Sequence, residues 1–490
     1  MRVAFVTSEV SPFSKTGGLA DVSQALPAAL AALGLEVTVF SPLYRSAAAA
    51  LARLDLRGEE TAGPVLWIGD ERHLVRYCSL ARDGCRYVFV ANEAFYDRAT
   101  LYVDDNGVDY GDNLPRFAYL CRAALEYWLG RGQAPDIFHL NDWPTALVPV
   151  YLHTLYRHPA LAAARSVFTL HNMAYQGRFA PPQLYATGLD WSVFHPGALE
   201  YYGVLNLLKG ALIFADALTT VSPSYAEEIQ RPEFGHGFDG LLREQRGKLT
   251  GILNGIDTTL WNPDTDRFLP ATFTAEDLRG KAACKRALQE RLGLPPRDDA
   301  FVLGAISRFD AQKGIPLIAD AIRIVAPLPI QLAVLGSGDA GLEHRMRALA
   351  AAYPQQVAVR VGFDEALAHL IEGGADAFLM PSAYEPCGLN QMYSQRYGTV
   401  PIVHATGGLR DTVVDYTAQR LAAGSASGFS FAAFDAAHLA EAVLRAWRVY
   451  AQGGDEWRRL QRRCMALDHS WAKSAAQYVR VYERVAGGPR

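Results

Sequence analysis

The sequence predicts an α/β fold built as two Rossmann-like, doubly wound domains. Three observations predict it. Strand and helix patterns alternate along the whole chain, the series restarts about halfway, and glycine-and-cation loops stand where strands turn into helices in both halves. At 490 residues the chain is also longer than one core usually holds.

The elements follow in order. Residues 2–7 (R-V-A-F-V-T) are a short apolar, β-branched run and read as a buried first strand. Residues 21–33 read as a helix, with Gly34 as its left-handed cap. Further strands are expected over 35–40, 87–90, 136–140, 166–170 and 217–221. Several end on polar or small residues at the carboxyl edge, where open α/β sheets bind their ligands. The register resets over 248–257. A stretch rich in Pro, Asp and Thr (261–274) then leads into a helix over 275–292 and the Pro295-Pro296 break. A second series of strands is expected over 301–306, 331–335, 357–361, 377–380 and 400–403. A last helix over 470–485 is long enough to reach back onto the first domain. The expected division is therefore 1–250, 251–457 and a returning segment 458–490, with the two sheets facing across a deep cleft.

Composition excludes several classes. Half the residues are apolar, 20% are charged and the net charge is −4, so no basic excess points to nucleic acid or to an anionic membrane surface. No window approaches eighteen unbroken apolar residues, and the first residues lack the apolar core of a signal peptide. The six cysteines are scattered without a C-x-x-C pair, which favours reduced thiols over disulfides or a zinc site. A cytoplasmic protein is expected, without a metal.

Four loops carry chemistry. Lys15-Thr16-Gly17-Gly18-Leu19-Ala20-Asp21 lies between the first strand and first helix, where bare backbone and open helix N–H groups can meet a diphosphate. Read alone it is equally an ordinary turn with a solvated lysine. Ser307-Arg308-Phe309-Asp310-Ala311-Gln312-Lys313-Gly314 follows the strand at 301–306 and puts two cations on one loop, suited to a diphosphate leaving group. Tyr384-Glu385-Pro386-Cys387-Gly388-Leu389 follows the strand at 377–380, with Pro386 at a possible first helical position. Its carboxylate can grip sugar hydroxyls, or simply complement a helix dipole. His404 to Val413 repeats the strand, glycine pair, helix order around Thr406-Gly407-Gly408, a second potential phosphate nest.

Two other matches are weaker. Gly336-Ser-Gly338-Asp-Ala-Gly341 fits G-x-G-x-x-G but does not follow the first strand of its domain, so it reads as a tight turn. Asp264-Thr-Asp266 lies in a Pro-rich loop and also reads as a turn.

Together these motifs resemble the bacterial glycogen synthase and starch synthase family, which extends α-1,4-glucan from ADP-glucose. The resemblance spans nearly the whole chain: K-T-G-G-L-A-D-V (15–22), H-L-N-D-W (139–143), T-L-H-N-M-A-Y-Q-G (169–177), G-I-L-N-G-I-D (251–257), W-N-P (261–263), S-R-F-D-A-Q-K-G (307–314), Y-E-P-C-G-L (384–389) and T-G-G-L-R-D-T-V (406–413). It implies the GT-B architecture and retaining glucosyl transfer to an α-1,4-glucan, with no metal and no cofactor.

The resemblance also implies roles. Lys15 with Gly17 and Gly18 would hold the diphosphate from the first domain. Arg308 and Lys313 would neutralise departing ADP, and the backbone at Thr406, Gly407 and Gly408 would contact its phosphates. Glu385 and the Cys387, Gly388 and Leu389 amides would hold the donor glucose. His171 would sit against the transferred glucose, with Asn254 nearby. Asp142 and Asp21 would lie on the acceptor side. Phe363 stands where the family often has a tyrosine stacked on adenine, so the ring face is kept and the hydroxyl lost. Read from residues alone, His171 is as well a core histidine, and Cys387 a small buried hydrophobe. The aromatics Phe95, Tyr96, Tyr201 and Tyr202 are either packing or glucan contacts. An oxidoreductase would need a nucleotide fingerprint on a first strand. A glucan phosphorylase would need a dedicated pyridoxal lysine, and the sequence offers no segment for one.

Overall fold

The computed structural model describes residues 1–488 and divides into two compact units. Unit 1 comprises Met1–Gly255 and the chain from Trp471 onward; unit 2 is Ile256–Ser470. The chain therefore crosses between units at 255/256 and 470/471, a few residues beyond the expected 250/251 and well beyond 457/458.

Unit 1 holds β1 (Arg2–Val6), β2 (Glu36–Pro42), β3 (Glu59–Ile68), β4 (Glu71–Arg82), β5 (Cys85–Ala91), β6 (Ile137–Asn141) and β7 (Arg165–Leu170). These are followed by β8 (Arg178–Phe179), β9 (Glu200–Tyr201), β10 (Val204–Asn206), β11 (Ala217–Thr220) and β12 (Leu249–Gly251). Nine of them form one sheet in the order β12-β11-β7-β6-β1-β2-β5-β4-β3, while β8, β10 and β9 form a separate small sheet. The seven strands from β12 to β5 are parallel, and β4 and β3 add an antiparallel edge. Val3 to Val6 are wholly buried between β2 and β6. That explains why the run reads as continuous apolar rather than alternating.

The order reverses between β1 and β6, the switch point at which an open α/β sheet leaves a crevice at its carboxyl edge. The last helix, Trp471–Ala486, packs against the helix Gly18–Ala32 of the same unit. Its Tyr482 hydroxyl lies 2.5 Å from His139 Nδ1, and Ser474 donates to the Leu253 carbonyl at 2.6 Å.

Unit 2 holds β13 (Phe301–Ile306), β14 (Ile330–Gly336), β15 (Val357–Val361), β16 (Ala377–Met380), β17 (Val400–His404) and β18 (Phe429–Phe431). They form one parallel sheet in the order β15-β14-β13-β16-β17-β18, with the switch point between β13 and β16. The helix expected over 275–292 starts at Arg279, because Asp277 and Thr274 instead cap a turn ahead of it. Asp266 is more than a turn residue. Its Oδ2 accepts hydrogen bonds from His369 Nδ1 (2.7 Å) and the Tyr397 hydroxyl (2.5 Å), while Trp261 stacks on His369 at 4.0 Å. No helix among the described residues is long and apolar enough to cross a membrane.

Candidate active site

Each unit gathers most of its predicted site residues at the carboxyl edge of its sheet, near its own switch point, while Asn254 and Phe363 follow the outermost strands β12 and β15. In unit 1 the loop after β1 carries Lys15 and Gly17 into the helix Gly18–Ala32. Lys15 Nζ lies 2.6 and 2.9 Å from the two carboxylate oxygens of Asp21, one turn into that helix, and its side chain is 53% exposed. The cation thus has a partner yet remains open to a ligand. A side chain added at Gly17 would meet only open space, so the backbone there is approachable.

One group in this loop escaped the sequence reading. Buried Glu9 occupies the amide nest: its Oε2 accepts from Thr16 N (2.6 Å) and Gly17 N (3.2 Å), and its Oε1 accepts from Thr16 Oγ1 (2.6 Å) and the Tyr102 hydroxyl (2.7 Å). The Gly17 N–H is therefore engaged by an internal carboxylate, and Glu9 shapes the loop from below. A charged residue just past an apolar strand was the available signal.

Asp142 and His171 meet across the ends of β6 and β7. His171 N donates to Asp142 Oδ1 at 2.8 Å, and His171 Nε2 lies 3.0 Å from Asn141 Oδ1. Asn141 Nδ2 is committed to the Val6 carbonyl, which leaves its Oδ1 as acceptor and puts the imidazole proton on Nε2. Burial holds His171 down at about 3, so the ring is neutral and its Nδ1 is an acceptor. This is no core histidine capped by a carbonyl, since its partner is a side-chain amide at the sheet edge.

Asp142 is unusual twice over. Its φ of +55° with ψ of 179° lies in a region otherwise left to glycine. Burial, assisted by the nearby Glu9 charge and opposed by the His171 and Asn172 amides, pushes its carboxyl up to about 7. Asn254 is buried at the end of unit 1 and its Oδ1 has no partner; among the described residues it makes no hydrogen bond to His171.

In unit 2, Arg308 and Lys313 follow β13, and Ser382 and Glu385 follow β16. Lys313 Nζ lies 2.6 Å from Glu385 Oε2, and Ser382 Oγ donates to the same oxygen at 2.9 Å. Ser382, like Glu9 and Asn141, is a group that the sequence reading missed. Arg308 is 62% exposed, and among the described residues its ion-pair contact is Asp310 at 3.6 Å. The two loops are tied together by Ala383 N to the Gln312 carbonyl (2.7 Å) and by Gln312 Nε2 to the Tyr384 carbonyl (3.1 Å).

Gly314 makes that approach possible: at φ +68° a β-carbon would come within 2.0 Å of the Pro381 carbonyl oxygen. Gly314→Ala is expected to destabilise unit 2 by about 2–3 kcal/mol or more. Its calorimetric transition should then fall by roughly 5–10 °C. An unshifted transition would mean that the loop can move aside.

The remaining predicted groups line the same edge. A small cavity of about 120 Å³ is bounded by Ser307, Lys313, Ser382, Glu385, Gly388 and Leu389, among others. Pro386 does not begin a helix; the next one is Asn390–Arg396, with Leu389 at its cap. Cys387 is buried. Thr406 and Gly407 stand at the start of the short helix Gly407–Thr412, whose Gly408 N donates to the Glu385 carbonyl at 3.0 Å. A β-carbon on Gly408 would come within 2.1 Å of the Cys387 carbonyl oxygen, so the third and fourth motifs pack backbone to backbone. Phe363 follows β15 and is 93% exposed, a ring face turned to solvent. The G-x-G turn at 336–339 buttresses the cationic loop, through Phe309 N to the Ser337 carbonyl and Asp339 N to the Phe309 carbonyl, both 2.8 Å.

A family model described as the starch synthase catalytic domain matches residues 2–244, and one described as glycosyl transferases group 1 matches 289–449. The chain is 48% identical to a glycogen synthase of Anaeromyxobacter sp. strain Fw109-5, covering 99% of this chain and 100% of that one. It is 47% identical to glycogen synthase 1 of Methylococcus capsulatus, covering 100% and 97%. Among solved structures, the catalytic domain of starch synthase IV from Arabidopsis thaliana bound to ADP and acarbose matches with a TM-score of 0.90 at 35% identity, over 99% of both chains. Sucrose-phosphate synthase from Thermosynechococcus elongatus, at 19% identity and a TM-score of 0.58, shares the fold alone.

Proposed function

We infer the reaction from one premise: this chain belongs to the starch synthase family of glycosyltransferases. We propose that it is a glycogen synthase, moving glucose from ADP-glucose to the non-reducing end of an α-1,4-glucan and releasing ADP, with the anomeric configuration retained. Its relatives carry the glycogen synthase name, and the Arabidopsis enzyme was solved with ADP and acarbose. The observation that carries the reading is the Lys313–Glu385 pair at the switch point of unit 2, beside the exposed Arg308.

The chemistry follows from that pair. Lys313 and Glu385 neutralise each other. A donor diphosphate would draw Lys313 and Arg308 to its oxygens and free the Glu385 carboxylate to accept from glucose hydroxyls. The two cations then act on the charge that grows as the bond to ADP breaks. In this reading the Thr406–Gly408 backbone of unit 2 also serves the diphosphate and Cys387, Gly388 and Leu389 the sugar, while Lys15, Gly17 and Gly18 are the diphosphate-binding groups of unit 1. Neutral His171 offers Nδ1 to a hydroxyl of the transferred glucose, and the orphaned Asn254 Oδ1 suits a second hydroxyl. Asp21 and Asp142 face the acceptor. Asp142 and Glu385 are not cast as a glycosidase-type pair in this reading. We place the enzyme in the cytoplasm, working without metal or cofactor.

The test offers radiolabelled ADP-glucose and UDP-glucose separately with glycogen and scores polymer-bound glucose. Preference for ADP-glucose is expected; equal or better kcat/KM with UDP-glucose would overturn the donor assignment. Phe363→Ala should raise the donor KM roughly three- to tenfold with little change in kcat, as expected for loss of one stacking ring. An unchanged KM would remove Phe363 from the adenine site.

A further inference from the structure

Tyr202 is 86% exposed, and among the large hydrophobic side chains of the described residues only Phe363 is more so. It also sits in a backbone conformation that disfavours it. Tyr201 pairs with Val204, so the turn joining β9 to β10 is Tyr202-Gly203, with φ of +49° and +79°. Two-residue turns of this hand take Asn-Gly or Asp-Gly, because a β-carbon crowds the backbone when φ is positive. A large ring held mostly in water and in a left-handed turn gains little for the fold, and such strain is characteristic of ligand sites.

A second turn lies against it. His236 and Gly237 have φ of +48° and +87°, and His236 is exposed. The Tyr201 hydroxyl donates to the Gly237 carbonyl at 2.7 Å, the Tyr201 ring meets Phe238 at 4.5 Å, and the Tyr202 ring meets Tyr201 edge-on at 4.7 Å. Buried Gln176 fastens both turns to the segment that begins at His171. Its Nε2 donates to the His236 carbonyl and its Oε1 accepts from Asn206 Nδ2, both at 3.0 Å. Leu207 N and Leu208 N donate to the Gly177 and Gln176 carbonyls at 3.0 and 3.1 Å. The two displayed side chains are therefore held on a rigid extension of the His171 loop.

We infer that Tyr202 and His236 form a rim subsite for the acceptor glucan, taking sugars further along the chain than the one that receives glucose. The inference rests on the proposed glucosyl transfer, and it adds to that reading a determinant of preferred chain length. The Tyr202 ring presents a flat apolar face that suits the C–H face of a pyranose, and the exposed His236 adds a second, polar ring to the same rim.

The experiment uses the full chain and three variants. Tyr202→Asn restores the residue that the turn favours while deleting the ring, Tyr202→Phe keeps the ring, and His236→Asn removes the imidazole at a position that asparagine tolerates. Binding is read without donor, by affinity electrophoresis through gels containing glycogen. KM is then read for maltotriose and maltoheptaose with ADP-glucose. Tyr202→Asn is expected to weaken glycogen binding and raise the maltoheptaose KM about three- to tenfold, while the maltotriose KM moves less than twofold. Tyr202→Phe should behave as wild type, and His236→Asn should fall between. Unchanged glycogen mobility and an unchanged maltoheptaose KM in Tyr202→Asn would overturn the inference, and the ring would then serve a protein contact instead. If the wild-type chain transferred no glucose from ADP-glucose, the proposed reaction would fail, yet the electrophoresis would still decide the subsite.

Discussion

Arg308→Ala is expected to lower kcat by about a hundred- to a thousandfold while leaving the melting temperature within about a degree of wild type. The size follows from what the guanidinium does: a preorganised charge aimed at a developing oxyanion is typically worth that factor. The small structural effect follows from its surroundings, since the side chain is 62% exposed and its Asp310 contact is 3.6 Å away. Lys313→Ala should lose turnover to a similar extent but behave differently on heating. Lys313 and Glu385 are 20% and 9% exposed, so removing the lysine leaves a nearly buried carboxylate with Ser382 Oγ as its remaining side-chain partner. Its variant should therefore be both slower and less stable. Steady-state kinetics with ADP-glucose, paired with thermal melts, separates the two effects. Wild-type turnover in Arg308→Ala would remove the leaving-group role, whatever Lys313→Ala did.

The strands that position these groups were legible because they are buried on both faces and thus read as unbroken apolar runs. The runs at 301–306 and 377–380 coincide with β13 and β16 to the residue, and 357–361 matches β15 although Arg360 interrupts it and, as an edge strand, it is only partly buried. The β3–β4 edge was not legible: Val65, Trp67 and Leu74 face solvent and mix with charged neighbours, so neither a buried run nor clean alternation marks it. The small sheet of β8, β9 and β10 has two or three residues per strand, too short for any period to show.

The site divides in the same way. Cations and glycines on loops announce themselves by type and spacing. Glu9, Asn141 and Ser382 act by pointing inward at other site groups, and only the folded chain brings Glu9 to the Thr16 and Gly17 amides, or Asn141 to His171. The Lys313–Glu385 contact spans 72 residues, and nothing in either loop alone foretells it.

Asp142→Asn is expected to trade activity for stability, and the trade should depend on pH. The Asp142 carboxyl sits at about 7 in the folded protein against 3.8 for the ordinary group. A raised acid binds its proton more tightly in the folded state. Its contribution to stability is thus complete below about 4 and is lost as the pH rises through 7. Removing the titration should leave wild type and Asp142→Asn running parallel above pH 8, with the variant more stable there by an amount on the order of 2–4 kcal/mol relative to their difference at pH 4. Asp142→Gly should gain further, because the backbone at φ +55° then carries no β-carbon.

Activity should move the other way. An acceptor hydroxyl donates more strongly to the ionised carboxylate than to the acid, so wild-type kcat/KM for glucan should climb as the pH passes 7. Asp142→Asn should lose roughly ten- to a hundredfold in that constant and lose the inflection with it. A wild-type profile that is flat between pH 6 and 8, or an asparagine variant that keeps the rise, would place the titrating group elsewhere. It would also leave the strain at Asp142 without the acceptor-side role proposed for it.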